Sequence, residues 1–329
     1  MNFLMFISKT PVRISFFGGG TDFEEYYTKY SSLVLGTTIN KYIYISLSKT
    51  FPFNRYNYSF SFKNIKTVKN IKDIEHPCVK EIYKKYEVDK NIQLSYNANI
   101  IARSGLGTSS AFTVGLLNCV LKLKGKVGNI SKKFLSEEAY QIEKYKLKEY
   151  VGNQDQIFAS YGGLNLLKLT KNKKIVKKIN INKKIIDELQ NNLLIFFTKI
   201  QRDSNKIEKN KIFNINNKIE HYHKIKTITK QAYEALKDED LNQFGDLLHM
   251  YWLEKKNLSS LVSNNYLNNI YETALNAGAR GGKILGAGSG GFFLFYCEKK
   301  FQKQLKMALN KLHFLEFSFT SEGSICREI

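Results

Sequence analysis

Ser104-Gly105-Leu106-Gly107-Thr108-Ser109-Ser110-Ala111 stands between an extended segment, Ile92 to Ile101, and the apolar run AFTVGLLNCVLKL, which reads as a helix. Glycines let the backbone approach phosphate oxygens, and free N–H groups at a helix start attract anions. The hydroxyls of Thr108, Ser109 and Ser110 add donors or reach a metal. No Gly-Lys-Ser/Thr follows, which excludes a Walker-type loop. Taken alone, the stretch also fits a Ser-rich helix cap with no ligand.

Two further glycine loops flank this one in sequence. Phe17-Gly18-Gly19-Gly20-Thr21-Asp22 follows the strand candidate Thr10-Pro-Val-Arg-Ile-Ser-Phe16. It reads as a tight turn with Asp22 capping a helix, or as a close backbone approach to a ligand whose hydroxyls Asp22 accepts. Gly286-Ala-Gly-Ser-Gly-Gly291 satisfies the G-x-G-x-x-G pattern. Its flanks, Lys283–Leu285 and Phe292–Tyr296, read as strands, whereas the dinucleotide fingerprint needs a helix next. A glycine hairpin leaning on a ligand from the second half is expected instead.

Two carboxylates stand out. A helix is predicted over Ser136 to Glu149, with Ser136 as its N-cap, and Glu143 shares a stripe with Ala139 and Leu147. That stripe points inward or into a cleft. Asp155, in Gly152-Asn-Gln-Asp-Gln156, falls in the first turn of a helix ended by Gly162–Gly163. Capping is its structural alternative. Histidines 76, 221, 223, 249 and 313 show no metal-binding spacing.

The 329 residues suffice for one large or two ordinary domains, and 43% hydrophobic with 24% charged residues excludes a disordered chain. The apolar runs fall short of the ~20 residues that span a bilayer. The opening MNFLMFI is too short for a signal-peptide core. Cys78, Cys119, Cys297 and Cys326 lie far apart without a C-x-x-C pair. The expected setting is the reducing cytoplasm.

The net charge is +22, from 51 basic and 29 acidic residues. Lysines scattered among Asn and Ile supply most of it, and the arginines are only Arg13, Arg55, Arg103, Arg202, Arg280 and Arg327. A nucleic-acid reader would carry more arginine. A Lys/Asn/Ile-biased genome accounts for the charge, and an enzyme with anionic substrates is compatible with it.

No internal repeat is visible. Asn40 to Leu47 and Tyr56 to Phe62 alternate as strands, Leu164 to Leu169 and Leu193 to Phe197 are strand candidates, and Lys171 to Lys184 reads as an exposed basic hairpin. Ile207 to Leu261 is mostly helical in pattern; a helix over Phe301 to Leu312 and a final strand over Phe314 to Phe319 follow. Without strict βαβ alternation, the pattern predicts an α+β fold of two domains, residues 1–185 and 186–329.

In order, these elements are a Pro-Val-Arg strand, a glycine loop with Asp22, the Gly-Leu-Gly-Thr-Ser-Ser loop, Glu143, Asp155 and a late glycine loop. The series resembles the GHMP small-molecule kinases over nearly the whole chain. Within that superfamily it looks most like the bacterial D-glycero-D-manno-heptose 7-phosphate kinases, whose first motif also carries Gly-Gly-Gly-Thr-Asp. The resemblance implies a ribosomal-protein-S5-like N-terminal domain and a ferredoxin-like C-terminal domain, with ATP and Mg²⁺ in the cleft between them.

It implies that Ser104 to Ser110 cradle phosphate, that Ser109 (with Ser110 as the neighbouring alternative) and Glu143 hold Mg²⁺, and that Asp155 is catalytic with Arg13 as its basic partner. Gly19, Gly20, Thr21, Asp22 and Gly288 are implied substrate contacts. Two departures matter. Gly19-Gly20 stand where galactokinases have Glu-His, and Ile101 and Arg103 stand where the second motif usually has Pro and a small residue. Arg103 is left open between a phosphate contact and solvent. For an acceptor's distal phosphate, Arg202, Arg280 and Lys283 are the candidates.

The expected reaction is ATP-dependent phosphorylation of the anomeric hydroxyl of D-glycero-D-manno-heptose 7-phosphate, for surface polysaccharide synthesis. Another sugar 1-kinase acting on fucose, galactose or a uronate is the alternative. A basic nucleic-acid-binding protein is the alternative of a different class. The expected partners are ATP and a phosphorylated sugar, not nucleic acid or membrane; oligomeric state, a homodimer included, is left open.

Overall fold

The computed structural model describes residues 4–329 apart from positions 53, 127, 129, 202 and 203. Its strands are β1 Met5–Phe17, β2 Ser32–Lys49, β3 Tyr58–Ser61, β4 Ile65–Val68, β5 Ile92–Ala98, β6 Asn165–Leu169, β7 Lys174–Lys178, β8 Leu193–Phe197, β9 Gly281–Ile284, β10 Phe292–Tyr296, β11 His313–Leu315, β12 Phe319–Thr320 and β13 Ile325–Glu328. Its α-helices are α1 Glu24–Tyr30, α2 Pro77–Lys85, α3 Thr108–Leu123, α4 Lys132–Gln141, α5 Gln154–Tyr161, α6 Lys183–Asn192, α7 Ser204–Phe213, α8 Ile219–Lys237, α9 Leu241–Asn257, α10 Asn265–Asn276 and α11 Gln302–Ala308.

The first sheet runs β13-β1-β2-β5-β3-β4, with β6 and β12 also paired to β2, and β7 to β6. The length of β2 makes this branching feasible. Its residues 43–49 pair with β5, while residues 32–36 pair with β6 and residues 38–39 with β12. The first half of β1 alternates in burial, as a strand with one face toward solvent does. From Thr10 to Phe17 every residue is buried, because α3, α5, α8 and α9 all pack there. The second sheet is antiparallel, β11-β8-β10-β9. A first core is built on β1, β2 and α3 and runs on to Phe244, Tyr251 and Phe292; a second surrounds Trp252, Tyr271 and Phe293.

Pro11 sits inside β1, where a missing N–H would normally break the ladder. The register shifts between Pro11 and Val12, and the irregularity delivers Arg13 inward. Helix α3 is buried nearly all round, which fits its unbroken apolar sequence. Its first turn is the end of the Ser104–Ser110 loop, so the loop is anchored in the core.

Three expectations differ from the structure: in place of one final strand over Phe314 to Phe319, β11 and β12 are separate short strands in different sheets, and β13 follows them. Ser136 lies inside α4, its hydroxyl donating to the Lys133 carbonyl at 2.9 Å, and the N-cap is Ser131, which accepts from Phe134 N–H. The helix continues into a π-turn over Ile142–Lys146 that contains Glu143. The 185/186 division also departs from sheet membership at the end of the chain. β12 and β13 leave the second half and pair with β2 and β1, because β1 has an open edge that a returning strand can cover.

Candidate active site

Gln154, Asp155 and Gln156, at the start of α5, each hold a different wall of one cleft. Gln154 donates to Asp22, through its N–H to Oδ2 at 3.2 Å and its Nε2 to Oδ1 at 3.1 Å. Asp155 accepts two bonds from Arg13, Nε to Oδ1 at 2.8 Å and Nη2 to Oδ2 at 2.7 Å. Gln156 donates from Nε2 to Glu143 Oε2 at 2.5 Å and to Ser110 Oγ at 3.3 Å. Arg13 is tied further, Nη1 donating to the Gly105 carbonyl at 2.6 Å and its N–H to the Leu106 carbonyl at 3.0 Å. A planar fork with this many partners has one orientation. Asp155 keeps 25% of its side chain exposed, while Arg13 keeps 5%.

The Gly105–Ser110 loop closes beside this pair. Gly107, at φ +76°, is the N-cap of α3, a backbone conformation that favours glycine, and a Cβ there would lie 3.3 Å from both Arg13 Cγ and Asp155 Oδ2. The hydroxyl beside Glu143 is that of Ser110, donating to Oε2 at 2.8 Å; Ser109 is exposed at the cleft wall. Glu143 is buried, and its Oε1 has no hydrogen-bond partner among the described residues. Burial, then the charge of Glu149, pushes its carboxyl up to about 7, against the opposing pull of the nearby Thr113, Gln156 and Ser110 side chains. A buried carboxylate with one unpaired oxygen at a phosphate-type loop fits a divalent cation completed by phosphate and water oxygens. The inward stripe read from Ala139, Glu143 and Leu147 survives the π-turn.

Asp22 is also buried. Its Oδ1 accepts from Gly20 N–H at 2.9 Å as well as from Gln154. Burial and then the Asp155 charge push it up to about 6. Gly152 packs against it so closely that a Cβ there would lie 1.9 Å from Oδ2. Thr21 points away from the cleft, its hydroxyl donating to the Gly18 carbonyl at 2.7 Å and sharing a hydrogen bond with Ser32. Gly19 and Gly20 line the cleft.

The cavity measures about 620 Å³. Part of its lining is an aromatic cluster that the sequence reading missed. His76 stacks on Phe62 (5.3 Å, 17°) and on Phe112 (4.9 Å, 28°), and Tyr96 meets Phe112 edge-on at 5.6 Å. Burial lowers the His76 pKa, which favours a neutral ring. Arg103 is exposed in the same lining. The third glycine loop, between β9 and β10, reaches the cleft with Gly286 and Ala287, whereas Gly288 packs on the Val262 backbone. Lys255 pins it by donating to the carbonyls of Ile284 (2.7 Å) and Gly286 (2.6 Å). Phe292 N–H donates to the Ser104 carbonyl at 3.2 Å, joining the second and third loops.

Two of the three basic residues expected at an acceptor phosphate, Arg280 and Lys283, have internal partners instead. Arg280 lies outside the cleft lining and is engaged by Asp246 at 3.0 and 2.8 Å. Lys283 is buried, donating to the Ser15 and Phe16 carbonyls at 2.8 Å each and lying 4.1 Å from the Tyr251 ring centroid. Burial and the nearby Arg13 and Lys211 charges hold its pKa well below the usual lysine value. Arg202 lies outside the described residues.

The family model for the GHMP kinases N terminal domain matches residues 69–163, and that for the GHMP kinases C terminal matches residues 232–311. A D-glycero-alpha-D-manno-heptose 7-phosphate kinase from Campylobacter jejuni is 32% identical, over 96% of this chain and 97% of its own. The chain belongs to the GHMP kinase family. This GHMP kinase is an ATP-dependent phosphotransferase acting on a sugar.

Solved structures agree on the fold. A D-glycero-D-manno-heptose 1-phosphate kinase from Bacteroides thetaiotaomicron superposes with a TM-score of 0.80 at 26% identity, over 98% of this chain and 99% of the other. A galactose-bound galactokinase from Lactococcus lactis, at 17% identity, shares the fold with a TM-score of 0.74 over 98% and 95% of the two chains. Among the described residues no helix is long and apolar enough to cross a membrane.

Proposed function

We propose that this GHMP kinase transfers the γ-phosphoryl group of ATP to the anomeric hydroxyl of D-glycero-D-manno-heptose 7-phosphate, giving the 1,7-bisphosphate. The observation that carries the reading is the doubly bonded Arg13–Asp155 pair, set beside the Gly105–Ser110 loop in one cavity. The likeness to the Campylobacter heptose 7-phosphate kinase supports the choice of sugar.

The geometry supports the following roles. Backbone N–H groups at the start of α3 face the phosphates, and the exposed side of the Phe62, His76, Tyr96 and Phe112 cluster takes the purine face by stacking. Asp155 orients the acceptor hydroxyl and accepts its proton as the oxygen attacks the γ-phosphorus. The bond from that phosphorus to the bridging oxygen breaks, and ADP leaves. An anomeric hydroxyl is more acidic than an ordinary alcohol, so a carboxylate suffices as base. Arg13 fixes the orientation of Asp155 and places positive charge beside the transferring group. Orientation of this kind is worth up to ~7–11 kcal/mol, and proton removal adds about 10²–10⁴-fold.

Glu143, with the Ser110 hydroxyl beside it, would hold Mg²⁺. When bound, the ion neutralises phosphate charge. The test is a panel of sugars and sugar phosphates with MgATP, read as ADP release and then by NMR of the product. Turnover confined to the heptose 7-phosphate, with a new C1 phosphate, supports the reading; turnover of an unphosphorylated sugar at least as fast removes it.

A further inference from the structure

Helix α7 supplies a wall of the cleft that no motif announced. Ser204, Glu208 and Lys211 are spaced i, i+4 and i+7, so they share one helix face, and all three line the cavity with Gly19, Gly20 and Asp22. Lys211 is not a surface lysine. Its side chain is 3% exposed, it pairs with Glu208, and its ammonium lies 5.4 Å from the Phe23 ring centroid. A buried ammonium is stable only when its charge is met, and Glu208 meets it. The pair thereby locks a carboxylate in the cleft wall. Glu208 keeps 18% of its side chain exposed and is close enough to Asp22 for its charge to raise that residue's pKa.

Asp22 looks like the natural reader of sugar hydroxyls, yet it is occupied. It accepts three internal hydrogen bonds, is 1% exposed and is pressed by the Gly152 backbone. Its role is to join the Gly18–Gly20 turn to the start of α5. Glu208, by contrast, pairs with Lys211 through one oxygen, remains partly exposed in the cleft wall and so has an oxygen to offer.

We propose that Glu208, held in place by Lys211, is a specificity-determining residue that accepts hydrogen bonds from acceptor hydroxyls remote from the one phosphorylated. The assignment rests on the sugar-kinase reading of this same cleft. Carboxylates pair well with neighbouring hydroxyls of a polyol, and a hydrogen bond to a charged group discriminates strongly against an analogue lacking its partner.

The test is steady-state kinetics of wild type, Glu208→Gln and the double variant Glu208→Gln/Lys211→Met, which strands no buried charge. The acceptors are D-glycero-D-manno-heptose 7-phosphate and its singly deoxygenated analogues. The expected result is an acceptor KM raised about tenfold or more in both variants, with the KM for MgATP unchanged. One deoxy analogue should be about tenfold poorer for wild type but no poorer than the parent sugar for the variants. An acceptor KM within about twofold of wild type, or equal discrimination by wild type and variants, overturns the assignment. If wild type turns over a different sugar, the choice of heptose fails, and the same comparison on that sugar and its deoxy analogues decides the role of Glu208.

Discussion

Arg13 and Asp155, 142 positions apart in sequence, meet through two hydrogen bonds of 2.8 and 2.7 Å. The pairing joins an irregular central strand to the first turn of α5 and closes against the phosphate-type loop through the Gly105 carbonyl. Replacing Asp155 by Asn removes the proposed base and one charge while keeping the shape. We predict a kcat lower by about 10²–10⁴-fold with little change in the KM for ATP. Arg13→Lys cannot reproduce the two-pronged contact and should lower kcat in the same direction. Stopped-time ADP assays over a range of ATP concentrations check both.

Ser110, rather than Ser109, sits at hydrogen-bond distance from Glu143. Ser110→Ala and Glu143→Gln should each raise the Mg²⁺ concentration for half-maximal activity by about tenfold or more. Ser109→Ala should shift it far less. A Mg²⁺ titration at saturating ATP decides, and a larger shift for Ser109→Ala would contradict the placement.

Asp22 is pushed from 3.8 up to about 6 by burial and then by Asp155. A carboxyl raised in the folded state contributes most to stability when protonated. That contribution is complete below the unfolded value and is lost as pH climbs through about 6. Asp22→Asn has no such titration. Between about pH 4 and pH 7, the unfolding free energy of wild type should therefore fall relative to Asp22→Asn by up to about 3 kcal/mol. Urea unfolding of both proteins across that range measures it, and parallel curves would show that the shift is absent.

Gly152 leaves no room for a methyl group against Asp22. Gly152→Ala must push apart the Gly18–Gly20 turn and the start of α5, at a cost of about 1–3 kcal/mol. Both the melting temperature and kcat should fall. An unchanged melting temperature would mean that the two segments part freely.

Much of this was legible in the sequence because local patterns with fixed periods carried it. The apolar run after Ala111 became a core helix, the Glu143 stripe turned inward, and the flanks of Gly286–Gly291 became strands. What escaped depends on tertiary partners. Ser131 displaced Ser136 as N-cap because the helix starts one turn earlier than its charges suggest. The tail's return to β1 and β2 is set by open sheet edges, which leave no mark on a two-residue strand such as Phe319–Thr320. The aromatic cluster draws Phe62, His76, Tyr96 and Phe112 from separate elements, and no spacing links them. Glu208 and Lys211 lie in a lysine-rich helix whose buried face looks no different from its wet one in sequence.

The central claim is that Asp155 in this cleft directs phosphoryl transfer to the anomeric oxygen of a sugar. Phosphorus NMR of D-glycero-D-manno-heptose 7-phosphate incubated with MgATP tests it most directly, with wild type beside Asp155→Asn. The account predicts a second phosphate resonance coupled to the anomeric proton, formed quickly by wild type and barely by the variant. A new phosphate on any other carbon, or equal rates for the two proteins, would contradict it.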